Sequence, residues 1–552
     1  MKTIKEWIEP FVYDCLEHVL HILDKDGKNA TFHGIPVTAD ESEYTVGTVI
    51  RAAVSVYIKH KTEENRNRLI RYFDFIRDDT ELGKWAKLST LESLLMLKEA
   101  GELSLISKEK MAQLREKTDY TDFIRKDTLE FLTPLPSNYY HVAMLCAGRR
   151  EMLGFEQEGM SDRCAEKMIS IMQENSKDGW MDETPPYGKF DSYSIDANLN
   201  MCRALSELQK EIPAFMQENV RRSVSLLFAA RNRKGNGISY GRSLSMYGDM
   251  DAAKHMAYAL TEGLLTGKDA EEAHAYILHV TEKMVTFWYR EDKGFCDFWT
   301  DGRATEEYRE IFRIFEVYTE FCSNLISLYN RLSGTPYVDT VPEQDIREPQ
   351  TWEWHKTEFV REENKVRSLY VLRRKDHTFM LPFIGSAPHY VRSGSYMPFP
   401  HEPQFTETPP AGYDVPFLTP EVMLENGEIG YPIQYFTDIS EESGEDFLKI
   451  TAKGFLTKTD YVHPFRRSEH TFCAVYTFCG DRITIAYEVE DGFLARMQFA
   501  GNDVSYVTFP DAEREEILDV SQNPGYHTPH GGLSLCKMAF FRGKTYRAEI
   551  VL

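Results

Sequence analysis

Carboxylates, a guanidinium and flat aromatic rings gather in two glycine-punctuated stretches of this chain, and these are the side chains that sugar chemistry uses. One stretch runs Asp178-Gly179-Trp180-Met181-Asp182-Glu183 and continues through Tyr187-Gly188-Lys189-Phe190-Asp191. The other runs Gly235-Asn236-Gly237-Ile238-Ser239-Tyr240-Gly241-Arg242-Ser243 and on to Tyr247-Gly248-Asp249. Splitting a glycosidic bond needs one carboxyl group that donates a proton and a second that stays ionised. The first stretch offers Asp182, Glu183 and Asp191, and the helix after it adds Asp196; the second offers Asp249 and Asp251. An acid just before a helix also caps it and meets its dipole, so Asp191 and Asp249 have a structural explanation beside the catalytic one.

Arg242 lies between Gly241 and Ser243 with no other basic residue close by. A guanidinium forks onto a carboxylate through two parallel hydrogen bonds, which suits a uronic acid; a salt bridge to one of the many acids of the chain is the alternative. Trp180, Tyr187, Tyr240 and Tyr247 are candidates for a sugar-stacking platform, although rings beside helix starts commonly serve as packing staples. Phe295, Asp297, Trp299 and Asp301 form a similar group further on. Asn138, Tyr140 and His141 open another helical stretch. Such a set can remove the C5 proton of a uronide and neutralise its carboxylate, the eliminating version of the same acid–base work.

These loops must be positioned by something, and the apolar spacing shows what. Val46, Ile50, Ala53 and Tyr57 share a helical face, as do Leu88, Leu91 and Leu95, then Ile195, Leu199, Cys202 and Leu205, then Ile311, Phe315, Tyr318 and Cys322. Equivalent helices begin near residues 44, 86, 139, 193, 251 and 308, and the later steps of about 53 to 59 residues each fit one helical hairpin with its loops. Six such hairpins predict an (α/α)6 toroid over residues 1–333, with the loops before the inner helices emerging at one end; an open solenoid is the competitor. Residues 334–350 read as a linker. From 351 to 552 the apolar period becomes two, which predicts an antiparallel β-sandwich. The segment from Gly385 to Phe417, with His389, Tyr390, Arg392, Tyr396 and His401, is too long for an ordinary connection and is expected to lean over the toroid mouth.

The 552 residues carry a formal charge of −23, which argues against a nucleic-acid partner and an anionic membrane surface. Aromatics make up 13% of the chain, which agrees with sugar stacking, though core packing explains most of them. Nine scattered cysteines without a CxxC pair predict reduced, mostly buried thiols, and no metal or cofactor is expected. The opening residues lack the apolar core of a signal peptide, so a cytoplasmic location is expected. There is no phosphate loop, dinucleotide fingerprint or zinc-protease signature.

Asp178-Gly179-Trp180, Phe190-Asp191-Ser192-Tyr193 and Tyr240-Gly241-Arg242-Ser243-Leu244 resemble a bacterial family catalogued as domain of unknown function 2264, part of which is associated with the exo-acting β-glucuronidases of glycoside hydrolase family 154. Ser192 stands where that family usually has tyrosine, and Tyr247-Gly248-Asp249 replaces a tyrosine–arginine pair. The resemblance implies an exo-glycosidase that removes a terminal uronic acid from oligosaccharides. In that reading Arg242 and Tyr240 hold the sugar carboxylate, Trp180 lies beneath the ring, and Asp182, Glu183, Asp191 and Asp249 supply acid and base. A lyase built on His141, Tyr140 and Asn138, and a non-catalytic glycan-binding protein, are the alternatives. Large toroid enzymes often assemble, so a homo-oligomer is compatible with this reading.

Overall fold

Stretches whose apolar residues recur at helical spacing form twelve α-helices among the described residues: α1 (Ile4–Asp26), α2 (Val46–Lys59), α3 (Glu63–Phe73), α4 (Lys84–Glu99), α5 (Lys108–Lys117), α6 (Tyr139–Met152), α7 (Met160–Asn175), α8 (Ser192–Glu207), α9 (Ala214–Ala229), α10 (Met246–Thr261), α11 (Gly267–Lys283) and α12 (Ile314–Leu332). The computed structural model describes residues 2–37, 45–133, 135, 138–182, 190–304, 310–363, 365–385, 396–403, 417–458 and 466–552.

The even-numbered helices form the inner ring. Each packs on the next, and α12 packs back onto α2, so the ring closes and the open solenoid is excluded. Inner helices are buried around most of their circumference; α10 hides Ala252, Ala253, Ala257 and Ala259, whose small side chains let its neighbours approach. Outer helices keep a polar face, and their starts are capped by Thr3, Thr62 and Ser107 in α1, α3 and α5. The inner helices start at 46, 84, 139, 192, 246 and 314, close to the spacing that the sequence predicts.

The C-terminal part is antiparallel. A ten-stranded sheet runs edge to edge as Val507–Thr508, Thr545–Val551, Arg482–Val489, Arg466–Cys479, Phe447–Lys458, Ile429–Gly444, Glu421–Leu424, Gly492–Gly501, Leu535–Arg542 and Arg514–Asp519. Its register shifts inside Ile429–Gly444, between Phe436 and Asp438. Residues from both halves of the sheet, Tyr476 and Phe541 among them, share one core.

A second sheet, ordered Glu353–Glu362, Lys365–Arg374 and His377–Phe383, joins this layer to the toroid. Its central strand is buried on both faces by the alternation of side chains. Leu369 and Val371 enter the toroid core, whereas Tyr370 and Leu372 enter the β-domain core. All nine cysteines are unpaired thiols; Cys479 is exposed and Cys473 partly so. Among the described residues no helix is long and apolar enough to cross a membrane.

Candidate active site

The loops before the inner helices do meet at one end of the toroid, but several of their residues are committed to holding the loops together. Asp191 is fully buried at the start of α8, where its carboxylate accepts a hydrogen bond from the Tyr193 amide at 3.1 Å. It also accepts from Arg242 Nε at 2.9 Å and from the Tyr396 hydroxyl at 2.6 Å. Gly241, at φ 81°, lies so close that a Cβ there would meet Asp191 Cβ at 2.7 Å. The capping role of Asp191 is therefore realised, and Arg242 serves it while its guanidinium stacks 4.0 Å from the Tyr193 ring centre.

Asp249 is held as closely. One oxygen accepts from the Gly237 amide at 2.8 Å; the other accepts from Trp288 Nε1 and from Lys283 Nζ, both at 2.7 Å. The Gly237 backbone passes so near α10 that a Cβ would stand 2.1 Å from the Gly248 carbonyl oxygen. Asp249 thus pins the glycine loop to the helix, and a carboxylate enclosed by three donors is a poor proton shuttle.

The expected aromatic platform is also largely packing. Trp180 is 3% exposed and meets Phe359 edge-on, with ring centres 5.2 Å apart, so it cannot lie open beneath a sugar. Tyr240 is fully buried and donates to the Phe190 carbonyl at 2.8 Å, which excludes it as a carboxylate ligand. Asp182 is half-buried, with its amide bonded to the Asn175 carbonyl at 2.8 Å. Glu183 and Tyr187, and with them His389, Tyr390 and Arg392, lie outside the described residues. The described part of the long segment reaches the toroid loops through Tyr396, through the His401 carbonyl on Ser239 and through Glu402 on Lys234.

A different set of carboxylates lies on the inner helices α8, α10 and α12. Tyr247 donates to Glu320 of α12 at 2.9 Å. One turn further along α10, Asp251 pairs with Lys254 at 3.2 Å. From α8, Asp196 accepts from Asn200, and its other oxygen lies 3.8 Å from His255 Nδ1. Burial, and then the charge of Asp196, push the Asp251 carboxyl up to about 7; Glu320 adds to this and Lys254 opposes it. The charges of carboxyl groups on the two adjacent inner helices therefore act on Asp251, which retains a proton near neutrality. That is the arrangement acid–base catalysis on a glycosidic bond uses.

His141 stands at the start of α6 and Asn138 at the cap position before it, without a capping hydrogen bond. Burial, reinforced by Arg149, pushes the His141 imidazole down to about 4, so the ring is neutral. The charge of Asp196 opposes that shift weakly. Among the described residues its Nε2 and the Asn138 Oδ1 are buried without a hydrogen-bond partner.

No protein-family model and no curated protein matches the chain. Among solved structures it is similar to chondroitin AC lyase from Streptomyces coelicolor A3, with 11% identity, a TM-score of 0.49, and coverage of 99% of this chain and 79% of that one. It is similar to heparinase III at 8% identity and a TM-score of 0.48, covering 92% and 76%. A possible member of the GH105 family from Klebsiella pneumoniae aligns at 10% identity and a TM-score of 0.38, covering 58% of this chain and 93% of that one.

Ion pairs and hydrogen bonds also link the inner helices to one another. Arg149 of α6 pairs with Glu207 at 2.6 Å and Glu92 at 3.6 Å, and Arg51 of α2 reaches Glu92 at 3.4 Å and Ser323 at 2.7 Å. Arg203 of α8 crosses to Ser327 of α12 at 2.9 Å. Although burial opposes it, Arg149 and Arg51 hold the Glu92 carboxyl below its ordinary range.

Sequence reading names Asp196 and Asp251 only in passing and misses Glu320. The signal is a polar stripe at helical spacing within otherwise apolar inner helices: Tyr247, Asp251 and Lys254 on α10; Tyr193, Asp196, Asn200 and Arg203 on α8; Glu316, Glu320, Ser323 and Ser327 on α12.

Proposed function

We propose that this protein is a glycoside hydrolase acting on uronide-containing glycans, removing a terminal uronic acid by carboxylate acid–base catalysis. The observation that carries the reading is the raised Asp251 carboxyl on α10, acted on by the charges of Asp196 from α8 and Glu320 from α12. Asp251 keeps its proton and gives it to the leaving oxygen; Asp196, oriented by Asn200, is the partner carboxylate. Tyr247 orients Glu320. Arg242, held rigid by Asp191 and by the Tyr193 ring, is the cation assigned to the substrate carboxylate. The resemblance to domain of unknown function 2264 and glycoside hydrolase family 154 agrees with a uronide substrate and with Arg242, but it implies acid and base among Asp182, Glu183, Asp191 and Asp249 in place of Asp251 and Asp196.

The test is turnover of aryl uronides and aryl hexosides by Asp251→Asn, Asp196→Asn and Asp249→Asn. The first two should lose turnover while remaining folded. Turnover of uronides undiminished in both variants removes the pair from catalysis. Cleavage of neutral sugars alone removes the role of Arg242.

One observation favours a second reading, elimination rather than hydrolysis. His141 is neutral and its Nε2 has no partner among the described residues, so it is equipped to take the C5 proton of a uronide. An unsaturated, ultraviolet-absorbing product would decide for it.

A further inference from the structure

Arg367 is a charge set in an apolar wall. It lies on the central strand of the three-stranded sheet, opposite Val360 on one neighbour and next to the Ser368–Phe383 pair on the other. The alternation that sends Leu369 into the toroid core sends Arg367 the same way, and Val360 and Ile384 belong to that core too. The register shifts at Phe359, just before Val360. The Phe359 ring meets Trp180 edge-on and stacks on Phe190 at 4.8 Å, so this face of the sheet lies against the first glycine loop. Arg367 is 4% exposed, and its Nη1 donates to the Val366 carbonyl at 2.9 Å. Among the described residues its Nε is buried without a partner, and no carboxylate lies within ion-pair distance. Arg374, also buried on the same strand, has both Asp446 and Asp481. Burial pushes the Arg367 guanidinium down to about 10, and the charge of Asp182 opposes that shift from further away. A buried cation without a counter-charge is costly, and such costs are retained where a ligand supplies the missing charge.

We propose that Arg367 is a specificity-determining residue that holds an anionic group of the bound glycan, a carboxylate or a sulfate, at the seam between the three-stranded sheet and the first glycine loop. A guanidinium forks onto either group through paired N–H donors. Asp182, two residues beyond Trp180, is half-buried, so the loop reaches solvent where its packed rings end. Arg242 shares its charge with Asp191, whereas Arg367 meets no carboxylate among the described residues. The two cations stand on either side of one short stretch of chain: Arg242 bonds to Asp191, and the strand beside Arg367 carries Phe359 against Phe190. That the ligand is a glycan rests on the function proposed above; that it is anionic does not.

Arg367→Met removes the charge and keeps an unbranched apolar chain, which separates a ligand role from a structural one. The ligand-free variant should melt at or above the wild-type temperature, because it no longer buries a cation without a counter-charge. A clearly lowered melting temperature would make Arg367 a structural partner of Asp182 and overturns the site. Isothermal titration with glucuronate, a sulfated glucose and glucose, at fixed ionic strength, reads the ligand without any need for turnover. Arg367→Met should bind at least one of the two acid sugars about tenfold more weakly and glucose as the wild type does. The acid sugar that weakens identifies the group. Arg367→Lys, which keeps the charge without the fork, should retain part of the affinity. Neither acid sugar bound by the wild type, or both bound equally by wild type and Arg367→Met, overturns the proposal. Arg367-dependent binding by a protein that turns over no glycan upholds the site and overturns the proposed function instead. Turnover of uronides with binding unchanged in Arg367→Met overturns the site alone.

Discussion

Lys283 Nζ lies 2.7 Å from Asp249 Oδ2, and each side chain is 6% exposed. Burial pushes the lysine down from its ordinary range, and Asp249 opposes that shift. Lys283 also donates to Asn236 Oδ1 at 2.7 Å, so one cation holds both the loop and the helix that the loop precedes. Removing the carboxylate leaves a buried ammonium without its counter-charge. Asp249→Ala should therefore destabilise the protein by about 3–5 kcal/mol, and adding Lys283→Met should recover part of that loss. Urea denaturation of the two single variants and the double variant measures the coupling; strictly additive effects would refute it.

Asp251 sets the pH dependence. Its carboxyl is pushed up to about 7, so a donor role requires kcat/KM to fall as the pH rises through about 7. Lys254→Met removes the cation that favours ionisation, and the basic limb should then move upward. The stability term has a definite sign. A group that binds its proton more tightly when folded contributes fully below the ordinary carboxylate range. That contribution declines as the pH rises to about 7 and is level beyond it. Rate profiles and denaturation across that window check both; a basic limb unmoved by Lys254→Met excludes Asp251 as the donor.

The toroid is legible in the sequence because each inner helix is buried on nearly every side, and this writes an unbroken apolar rhythm into the chain. The site is legible only in outline. Tyr396 bonds to Asp191 across 205 positions, and Trp288 bonds to Asp249 across 39, so the engagement of those acids is invisible to any local pattern. Trp180 has the right chemistry for a sugar platform and the right place in the chain, but the sheet strand that carries Phe359 against it comes from residues beyond 350. The axial acids, by contrast, do leave a mark, in the period-3.6 polar stripe on α8, α10 and α12.

Tyr396 joins the long segment of the β domain to the toroid mouth through a 2.6 Å bond to a fully buried carboxylate. Hydrogen bonds to charged acceptors contribute about 1.5–3 kcal/mol, so Tyr396→Phe should lower stability by about that amount. Because Arg242 shares the same oxygen of Asp191, the variant should also raise KM for a uronide more than it lowers kcat. A lower kcat with unchanged KM would place Tyr396 in chemistry rather than in positioning.

Gly237 separates loop placement from loop chemistry, since it has no side chain to act. A Cβ at this position meets the Gly248 carbonyl at 2.1 Å and the Asp249 Cα at 2.7 Å, both backbone atoms that cannot swing aside. Gly237→Ala must push the loop off the start of α10 and break the Gly237–Asp249 bond, with an overpacking cost of about 1–3 kcal/mol. Activity should fall together with stability, as read by turnover and thermal melting. Full activity with a lowered melting temperature would show that the loop does not shape the site.

His141 decides between the two chemistries that the mouth permits. Its neutral ring and buried Nε2, without a partner among the described residues, suit a base that removes a carbon-bound proton, whereas the hydrolytic reading gives it no proton to move. If Asp251 and Asp196 carry a hydrolysis, His141→Gln should leave the pH profile in place and alter the rate modestly, and the product should be a saturated monosaccharide. If His141 is an eliminating base, the same substitution should abolish turnover, because amide nitrogen cannot accept the C5 proton, and the wild-type product should absorb in the ultraviolet. Mass spectrometry in isotopically labelled water gives an independent answer. Hydrolysis places one labelled oxygen in the products, whereas elimination places none.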